Sequence, residues 1–371
     1  MRLINLRLKN FRNIKKLNIE IKQKINIIYG GNAQGKTSIL EAIYLLGLTK
    51  SFRVNDDRSI VNRDNYFFEV IGTFQKIKNP FIVRIYFSSK EGKHIFIDNE
   101  KVKKFSSIIG KVPVILLSLE NLELTYGPPS FRRKFIDILI SQIDPIYLQS
   151  LKQLLKILKH RNKLLTLIKE GSQKETSLLP WDLQLAKFAS YVCLKRREVI
   201  NEFNSLLENY YKQMASTDEI VKIQYQTFFD SGLQQEEEIK NYYLQKLTEI
   251  KERDIAYGST TIGAHRDDLL FFKNNAPIKI FGSQGENKTF LISLKFAEAN
   301  FIKNKVNEEP ILLLDDIFSE LDMSRIQKVI EHIRELNFQT FITTTDVQKF
   351  DSQLNDVSLW FVSNGQVSIE S

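Results

Sequence analysis

Apolar positions alternate with polar ones toward both ends of the chain and recur at helical spacing in its middle. That pattern predicts strands flanking a helical insertion. Residues 3–7 and 17–29 alternate and are rich in Ile and Leu, the signature of paired strands. A glycine-rich turn follows, then a helix over 37–46 that Gly47 is expected to close. Short aromatic and β-branched runs at 67–74, 81–87 and 94–97 are separated by Lys78-Asn79-Pro80, Lys90-Glu91-Gly92 and Asp98-Asn99. They predict an antiparallel meander. From about 130 to 212 the spacing is helical, with Pro145, Gly171 and Pro180 as punctuation. There Leu151, Leu154, Leu155 and Leu158 form an apolar stripe, while Lys152, Lys156, Lys159 and Lys163 line another stripe of the same helix. Strand character returns at 221–228, a charged helix is expected over 234–253, and the last hundred residues alternate strands with helices, notably strands at 311–314 and 339–343.

Composition narrows the class. With 43% apolar and 26% charged residues, the 371-residue chain can bury a large core. No run approaches the roughly 18 consecutive apolar residues of a membrane span. The N-terminus threads Arg2, Arg7 and Lys9 through leucines, unlike a signal peptide. The single cysteine, Cys193, offers neither an internal disulfide nor a thiolate cluster, and four scattered histidines lack zinc spacing. Secreted, membrane-spanning and zinc-fold readings are therefore set aside, and a cytoplasmic protein is expected. The net charge of +9 is uneven: residues 1–60 carry 12 Lys/Arg against 4 Asp/Glu, and residues 131–170 carry 9 against 3. Residues 256–371 reverse this, with 11 against 16. Two basic blocks point to an anionic partner, nucleotide or nucleic acid. A solvated lysine-rich surface is the plain alternative.

The candidate chemistry lies in two motifs. Gly30-Gly31-Asn32-Ala33-Gln34-Gly35-Lys36-Thr37, followed by Ser38, matches the P-loop pattern after a predicted strand and at the start of a helix. Its backbone N–H groups can turn toward a β-phosphate, Lys36 can reach the β- and γ-phosphates, and the Thr37 hydroxyl can ligate Mg²⁺. The run Ile311-Leu312-Leu313-Leu314-Asp315-Asp316 reads as a buried strand ending in two carboxylates. Asp315 is the expected Mg²⁺ partner of Thr37, and Asp316 is placed to polarise an attacking water. Lys36 and Asp316 are the expected catalytic residues, with ATP and Mg²⁺ as cofactors.

Ser283-Gln284-Gly285-Glu286-Asn287-Lys288 precedes a helical run shortly before the acidic strand, and Ser319-Glu320-Leu321-Asp322 follows that strand. The order of P-loop, signature, acidic strand and D-loop resembles that of the ATP-binding-cassette ATPases. Closer still, the chain resembles the RecF family, recombination and repair ATPases related to the SMC proteins, over nearly its whole length. Asn10-Phe11-Arg12-Asn13, Ser51-Phe52-Arg53, Gly127-Pro128-Pro129 and Arg132-Arg133-Lys134-Phe135-Ile136-Asp137 carry the resemblance. So do Arg161-Asn162, Trp181-Asp182, Thr261-Ile262-Gly263-Ala264-His265-Arg266-Asp267-Asp268 and the segment from Leu314 to Asp322. The chain departs from the family at Glu286, where Gln is usual, and at Ala264, where Pro is usual.

The resemblance implies an α/β fold: an ABC-type P-loop ATPase head of mixed sheets with helices, carrying an inserted compact helical lobe. About 270 residues separate Thr37 from Ile311 without the sustained heptads of a long coiled coil. The expected division is a head in two parts, 1–120 and 216–371, around a lobe at 121–215. The resemblance further implies ATP-driven homodimerisation on single-stranded or gapped DNA with slow hydrolysis, Ser283 and Gly285 completing the partner's ATP site. It implies action with RecO and RecR to promote RecA loading, in replication-fork maintenance and SOS induction. Arg12 would approach the phosphates, His265 is a candidate water or γ-phosphate contact, and Thr343-Thr344-Thr345-Asp346 stand where cassette ATPases sense the γ-phosphate. The lysine stripe is a candidate DNA contact. The ATPase subunit of a membrane transporter shares the motif order and is the alternative. Its usual Leu-Ser-Gly-Gly-Gln signature is not present.

Overall fold

The computed structural model describes residues 1–76, 79–229, 232–350 and 357–370, so Lys78 of the first expected turn lies outside the described residues. In chain order the strands β1 (Arg2–Phe11), β2 (Ile14–Glu20) and β3 (Ile25–Tyr29) lead to helix α1 (Lys36–Leu48). Then come β4 (Phe67–Gln75), β5 (Pro80–Ser88), β6 (Gly92–Ile97), β7 (Glu100–Lys101) and β8 (Val114–Ser118). Helices α2 (Glu123–Tyr126), α3 (Pro129–Ile143), α4 (Pro145–Lys169) and α5 (Leu179–Ala215) precede β9 (Val221–Gln226). Next are α6 (Glu236–Glu249), α7 (Lys251–Tyr257), β10 (Asp268–Lys273), β11 (Ala276–Pro277) and α8 (Ile278–Phe281). The chain closes with α9 (Gln284–Val306), β12 (Ile311–Asp315), α10 (Met323–Leu336), β13 (Thr340–Thr344), β14 (Val357–Ser363) and β15 (Gln366–Glu370).

Two compact units result. The first comprises Met1–Leu122, Tyr210–Thr217 and Gly285–Ser371; the second comprises Glu123–Asn209 and Asp218–Gln284. This differs from the division expected from the sequence, because residues 218–284 pack with the helical unit rather than with the C-terminal part of the head. Their strand β9 pairs with β10, and β10 with β11, in a small separate sheet.

The first unit holds two six-stranded sheets, ordered β2-β1-β4-β5-β6-β7 and β15-β14-β3-β13-β12-β8. The first is antiparallel throughout, as the meander predicted. The second is parallel except for the β14–β15 pair. The alternating run at 17–29 therefore splits: β2 pairs with β1 in the first sheet, whereas β3 joins the second. Helix α1 packs against β1, β4 and β5 of one sheet and β8, β12 and β13 of the other. Every residue of α1 except Thr37 is buried, which explains why its apolar positions run all round. Gly47 does not close this helix but lies inside it, and Thr49 in left-handed conformation caps the end. A Cβ at Gly47 would lie 2.6 Å from Val114 Cγ1 and 2.7 Å from the Val112 carbonyl oxygen, so glycine is needed for close approach to β8.

In the second unit the apolar stripe of α4 is rotated from the expected one. Leu151, Leu154, Ile157 and Leu165 are buried, whereas Leu155 is 52% exposed. The helical register puts Arg161 on the inner face, where it is fully buried and bonds Asp182 Oδ1 at 2.6 Å and Asp254 Oδ2 at 2.7 Å. Buried charges persist only when paired in this way. Lys152, Lys156, Lys159 and Lys163 are all exposed. The longest described helix, α5, has 37 residues, so no long coiled-coil arm occurs among the described residues. No described helix is long and apolar enough to cross a membrane.

Candidate nucleotide site

Strand order in the second sheet decides where the motifs meet. Strand β13 lies between β3, which feeds the P-loop, and β12, which carries the acidic pair. Parallel pairing sets Asp315 beside Thr343, and Thr343 beside Ile28, at the carboxyl ends of the strands. In parallel α/β sheets, ligands bind at that end. A cleft of about 870 Å³ opens there, within the range of small-molecule sites. Asn32 through Ser38 line it, together with Arg12, Arg53, Asp316 and Thr343.

The loop itself bends sharply at Gly30, with φ of 144°, and a Cβ there would sit 2.2 Å from the Val362 carbonyl oxygen. Only glycine fits. The Lys36 ammonium donates to the Gly30 and Gly31 carbonyl oxygens at 2.8 and 2.7 Å. Burial lowers its pKa, and the charges of Asp316 and Asp315 oppose that shift.

Thr37 and Thr343 both donate to Asp315 Oδ1, at 2.9 and 2.6 Å. Thr343 Oγ1 in turn accepts the Asp316 backbone N–H at 2.9 Å. One hydroxyl on the middle strand thus ties both carboxylate residues to the P-loop helix. Burial raises the Asp315 pKa; the hydrogen bonds from Thr343 and Thr37 work against it, and Asp316 reinforces it. Asp316 adopts left-handed φ of 51°, and its Oδ1 is buried without a hydrogen-bond partner. Such an orphaned acceptor is a costly feature that marks a place for a ligand, water or ion. Among the described residues no group of three or more His, Cys, Asp and Glu gathers as a metal cage. The donor set of one hydroxyl and one or two carboxylates fits Mg²⁺, which keeps waters and shares substrate phosphates.

Sequence reasoning missed the residue that organises the opposite wall. Glu41, fully buried on α1, receives Arg12 Nε and Nη2 at 2.9 and 2.6 Å. It also accepts from the Ser51 hydroxyl and lies 3.6 Å from Arg53 Nη1. Arg12, at φ of 55°, reaches the Ser59 carbonyl as well. Two of the arginines that line the cleft, Arg12 and Arg53, thus share one carboxylate from the middle of an apolar helix. A charged residue in that run was the available signal. Glu41→Gln should lower stability by about 2–3 kcal/mol, the scale of hydrogen bonds to charged groups. It should also weaken ATP binding. A urea midpoint shift at constant slope, read beside an ATP titration, checks both.

The signature segment begins at Ser283, the residue just before α9, and Gly285 and Glu286 lie in the first turn of that helix. Lys288 of α9 donates to the Glu320 carbonyl oxygen at 2.8 Å, and Arg325 Nε donates to Thr289 Oγ1 at 3.0 Å. Asp322 caps α10 by accepting from the Arg325 backbone, a bond that pushes its carboxyl down to about 2. The signature helix and the D-loop are thereby braced together. Of the hydroxyls at the carboxyl end of β13, Thr343 lines the cleft, and Thr344 closes a local turn on Asp346. His265 lies in the second unit with Nε2 at 3.1 Å from the Thr260 carbonyl oxygen, its pKa pushed down to about 4 by burial. That places it in a buried network with Arg161, Asn162 and Asp254, all joined through Thr260 and Thr261.

Comparison with known proteins agrees with this geometry. The family described as RecF/RecN/SMC N terminal domain matches residues 2–368. The chain is 37% identical over 368 residues to the DNA replication and repair protein RecF of Bacillus cereus (strain G9842), covering 98% of each. It is 36% identical, with the same coverage, to the protein of that name from Bacillus thuringiensis (strain Al Hakam). Among solved structures it resembles the recombination mediator protein RecF bound to ATP, from the RecFOR pathway, with a TM-score of 0.92 and 30% identity, covering 100% of this chain and 97% of that one. An SMC head bound to the C-terminal winged-helix domain of ScpA is similar at a TM-score of 0.55 and 13% identity, covering 100% and 97%. That second likeness shows the fold: an ABC-type ATPase head of mixed sheets and helices.

Proposed function

The chain belongs to the RecF family, within the RecF/RecN/SMC group, and from that premise we propose that it is an ATP-dependent DNA-binding switch of recombinational repair. The observation that carries the nucleotide chemistry is the hydroxyl bridge from Thr37 through Asp315 to Thr343 and the Asp316 backbone. It joins a P-loop to a carboxylate with an orphaned oxygen. In this reading Gly30 through Ser38 wrap the phosphates with backbone N–H groups, and Lys36 turns its ammonium toward the β- and γ-phosphates. Thr37 and Asp315 hold Mg²⁺, which neutralises developing phosphate charge when bound. Asp316 takes up the proton of the attacking water, and Thr343 fixes the Asp315 carboxylate and the Asp316 backbone in register.

ATP would bind the closed homodimer better than the open one, and only that difference can drive closure. Ser283 and Gly285 at the start of α9 would complete the partner's site, with Glu286 facing the γ-phosphate region where the family usually has Gln. Slow hydrolysis then reopens the dimer. Work with RecO and RecR at single-strand gaps, promoting RecA loading, follows from the family premise. Beyond the shared motif order, the transporter reading has no observation in its favour.

Ser283→Arg tests the assembly. ATP affinity of the monomer should stay near the parent's, while light scattering should find no ATP-induced dimer. A variant that dimerises with ATP like the parent would exclude completion of the site in trans.

A further inference from the structure

The antiparallel sheet of the first unit has one face turned away from α1, and its cross-strand rows are set by register. One row reads Lys16, Lys9, Glu69, Tyr86, His94 across β2, β1, β4, β5 and β6. The next reads Asn18, Arg7, Ile71, Arg84, Phe96, Lys101 and reaches β7. The alternate positions, Leu6, Leu8, Val70, Ile85 and Ile95 among them, point into the core. Alternation on a half-buried sheet would normally put small polar residues on the outside. Here most outer positions of the two rows hold rings and long cations, with Asn18, Glu69 and Ile71 between them.

These side chains are arranged in contact with one another. Phe67 and Tyr86 have ring centroids 5.7 Å apart, and the His94 ring stacks on Tyr86 at 6.5 Å. Lys9 lies 5.2 Å over the Phe67 ring, and the Arg84 guanidinium lies 5.1 Å over Phe96. The rings are half-buried, so their faces are fixed by packing, while Arg7, Lys9, Lys16 and Lys101 are exposed. The one carboxylate in the two rows, Glu69, is held by Arg84 at 2.6 Å. Glu20 lies a row further out, Asp98 follows β6 and accepts from the Ile82 N–H, and Glu91 lies 3.9 Å from His94 at the edge of the row.

We propose that this outer sheet face is a platform for single-stranded nucleic acid, its bases stacking on Tyr86, Phe96 and their neighbours while Arg7, Lys9 and Lys16 hold the phosphates. A pleated sheet with fixed rings between cations suits unpaired bases, because every base has a π-face and a duplex keeps its faces hidden. An acidic protein would engage the cations but leave the rings without purpose. The inference rests on the reading of this chain as DNA-binding and names the surface and the form of the strand.

The test is fluorescence anisotropy with labelled oligothymidylate and with a duplex of equal length, ATP present, across a salt series. Tyr86→Leu with Phe96→Leu keeps aliphatic bulk and removes stacking. Single-strand affinity should fall by about tenfold or more, while duplex and ATP binding stay parental. Arg7→Gln with Lys9→Gln changes exposed positions only, so it serves even if the ring variant melts early. It should flatten the salt slope for oligothymidylate by about 1.4, as expected for two lost phosphate contacts. Parental single-strand affinity in a folded ring variant, or an unchanged slope in the cation variant, would overturn the platform. So would polyglutamate competing as well as unlabelled oligothymidylate. If the parent binds duplex in any of these cases, only the platform fails. A parent that binds neither strand form with ATP overturns the DNA-binding reading as well.

Discussion

Lys36→Met should reduce ATP affinity by about a hundredfold or more, the scale expected when one or two charge-assisted hydrogen bonds to phosphate are lost. Met retains the length and apolar stem of the lysine, so the walls of α1 should still pack. The parent ammonium sits between the Gly30 and Gly31 carbonyls and within reach of the charges of Asp315 and Asp316. Without it, two carboxylates would face a polyphosphate with no loop cation between them. ATP should therefore raise the parent's melting temperature in a concentration-dependent way and leave the variant's unchanged, since a ligand stabilises only the state it binds. Direct titration with ATP gives the affinities. Retained affinity in a folded Lys36→Met protein would overturn the P-loop assignment.

What the sequence disclosed and what it concealed divide along one physical line. The P-loop was legible because its glycines, lysine and threonine are consecutive, and a strand-turn-helix context can be read from neighbours. The acidic strand was legible for the same reason. Glu41 was not, because its partners Arg12 and Arg53 arrive from different segments, and only the packed α1 brings them together. Thr343 was one of several hydroxyls until strand order set it between β3 and β12. Gly47 looked like a helix terminator, since a glycine at a close approach and a glycine at a cap are the same letter. Likewise Leu155 and Ile157 differ by two positions on one helix, and Ile157 is the one that shares the buried face with Arg161. The unit boundary also moved for a non-local reason: residues 218–284 carry β9 and β10, whose pairing closes on itself rather than on the large sheets. Many of the residues that carry the family resemblance in the second unit, Arg161, Asp182 and Asp267 among them, serve buried ion pairs there, Arg161 with Asp182 and Asp254, and Asp267 with Arg196.

Asp316→Asn should slow ATP hydrolysis by about 10²–10⁴-fold, the usual contribution of a positioned general base, while leaving ATP binding near the parent's. The substitution suits the site. Asn tolerates the left-handed backbone that Asp316 adopts, so the turn after β12 should survive. Its backbone N–H still donates to Thr343, and Asp315 keeps the hydroxyls of Thr37 and Thr343. What disappears is the carboxylate charge on the one oxygen in this cluster that is buried without a partner. If ATP closes the dimer and hydrolysis opens it, a slow variant must accumulate in the closed state. Light scattering should then show dimers that persist with ATP in Asp316→Asn but decay in the parent, alongside phosphate release in the same samples. Thr343→Val provides the contrast, because it disorders both carboxylates at once and should weaken magnesium-dependent ATP binding as well as turnover. Equal turnover in Asp316→Asn and the parent would assign the water-activating role elsewhere, and loss of ATP binding in Asp316→Asn would make that carboxylate part of the binding set instead.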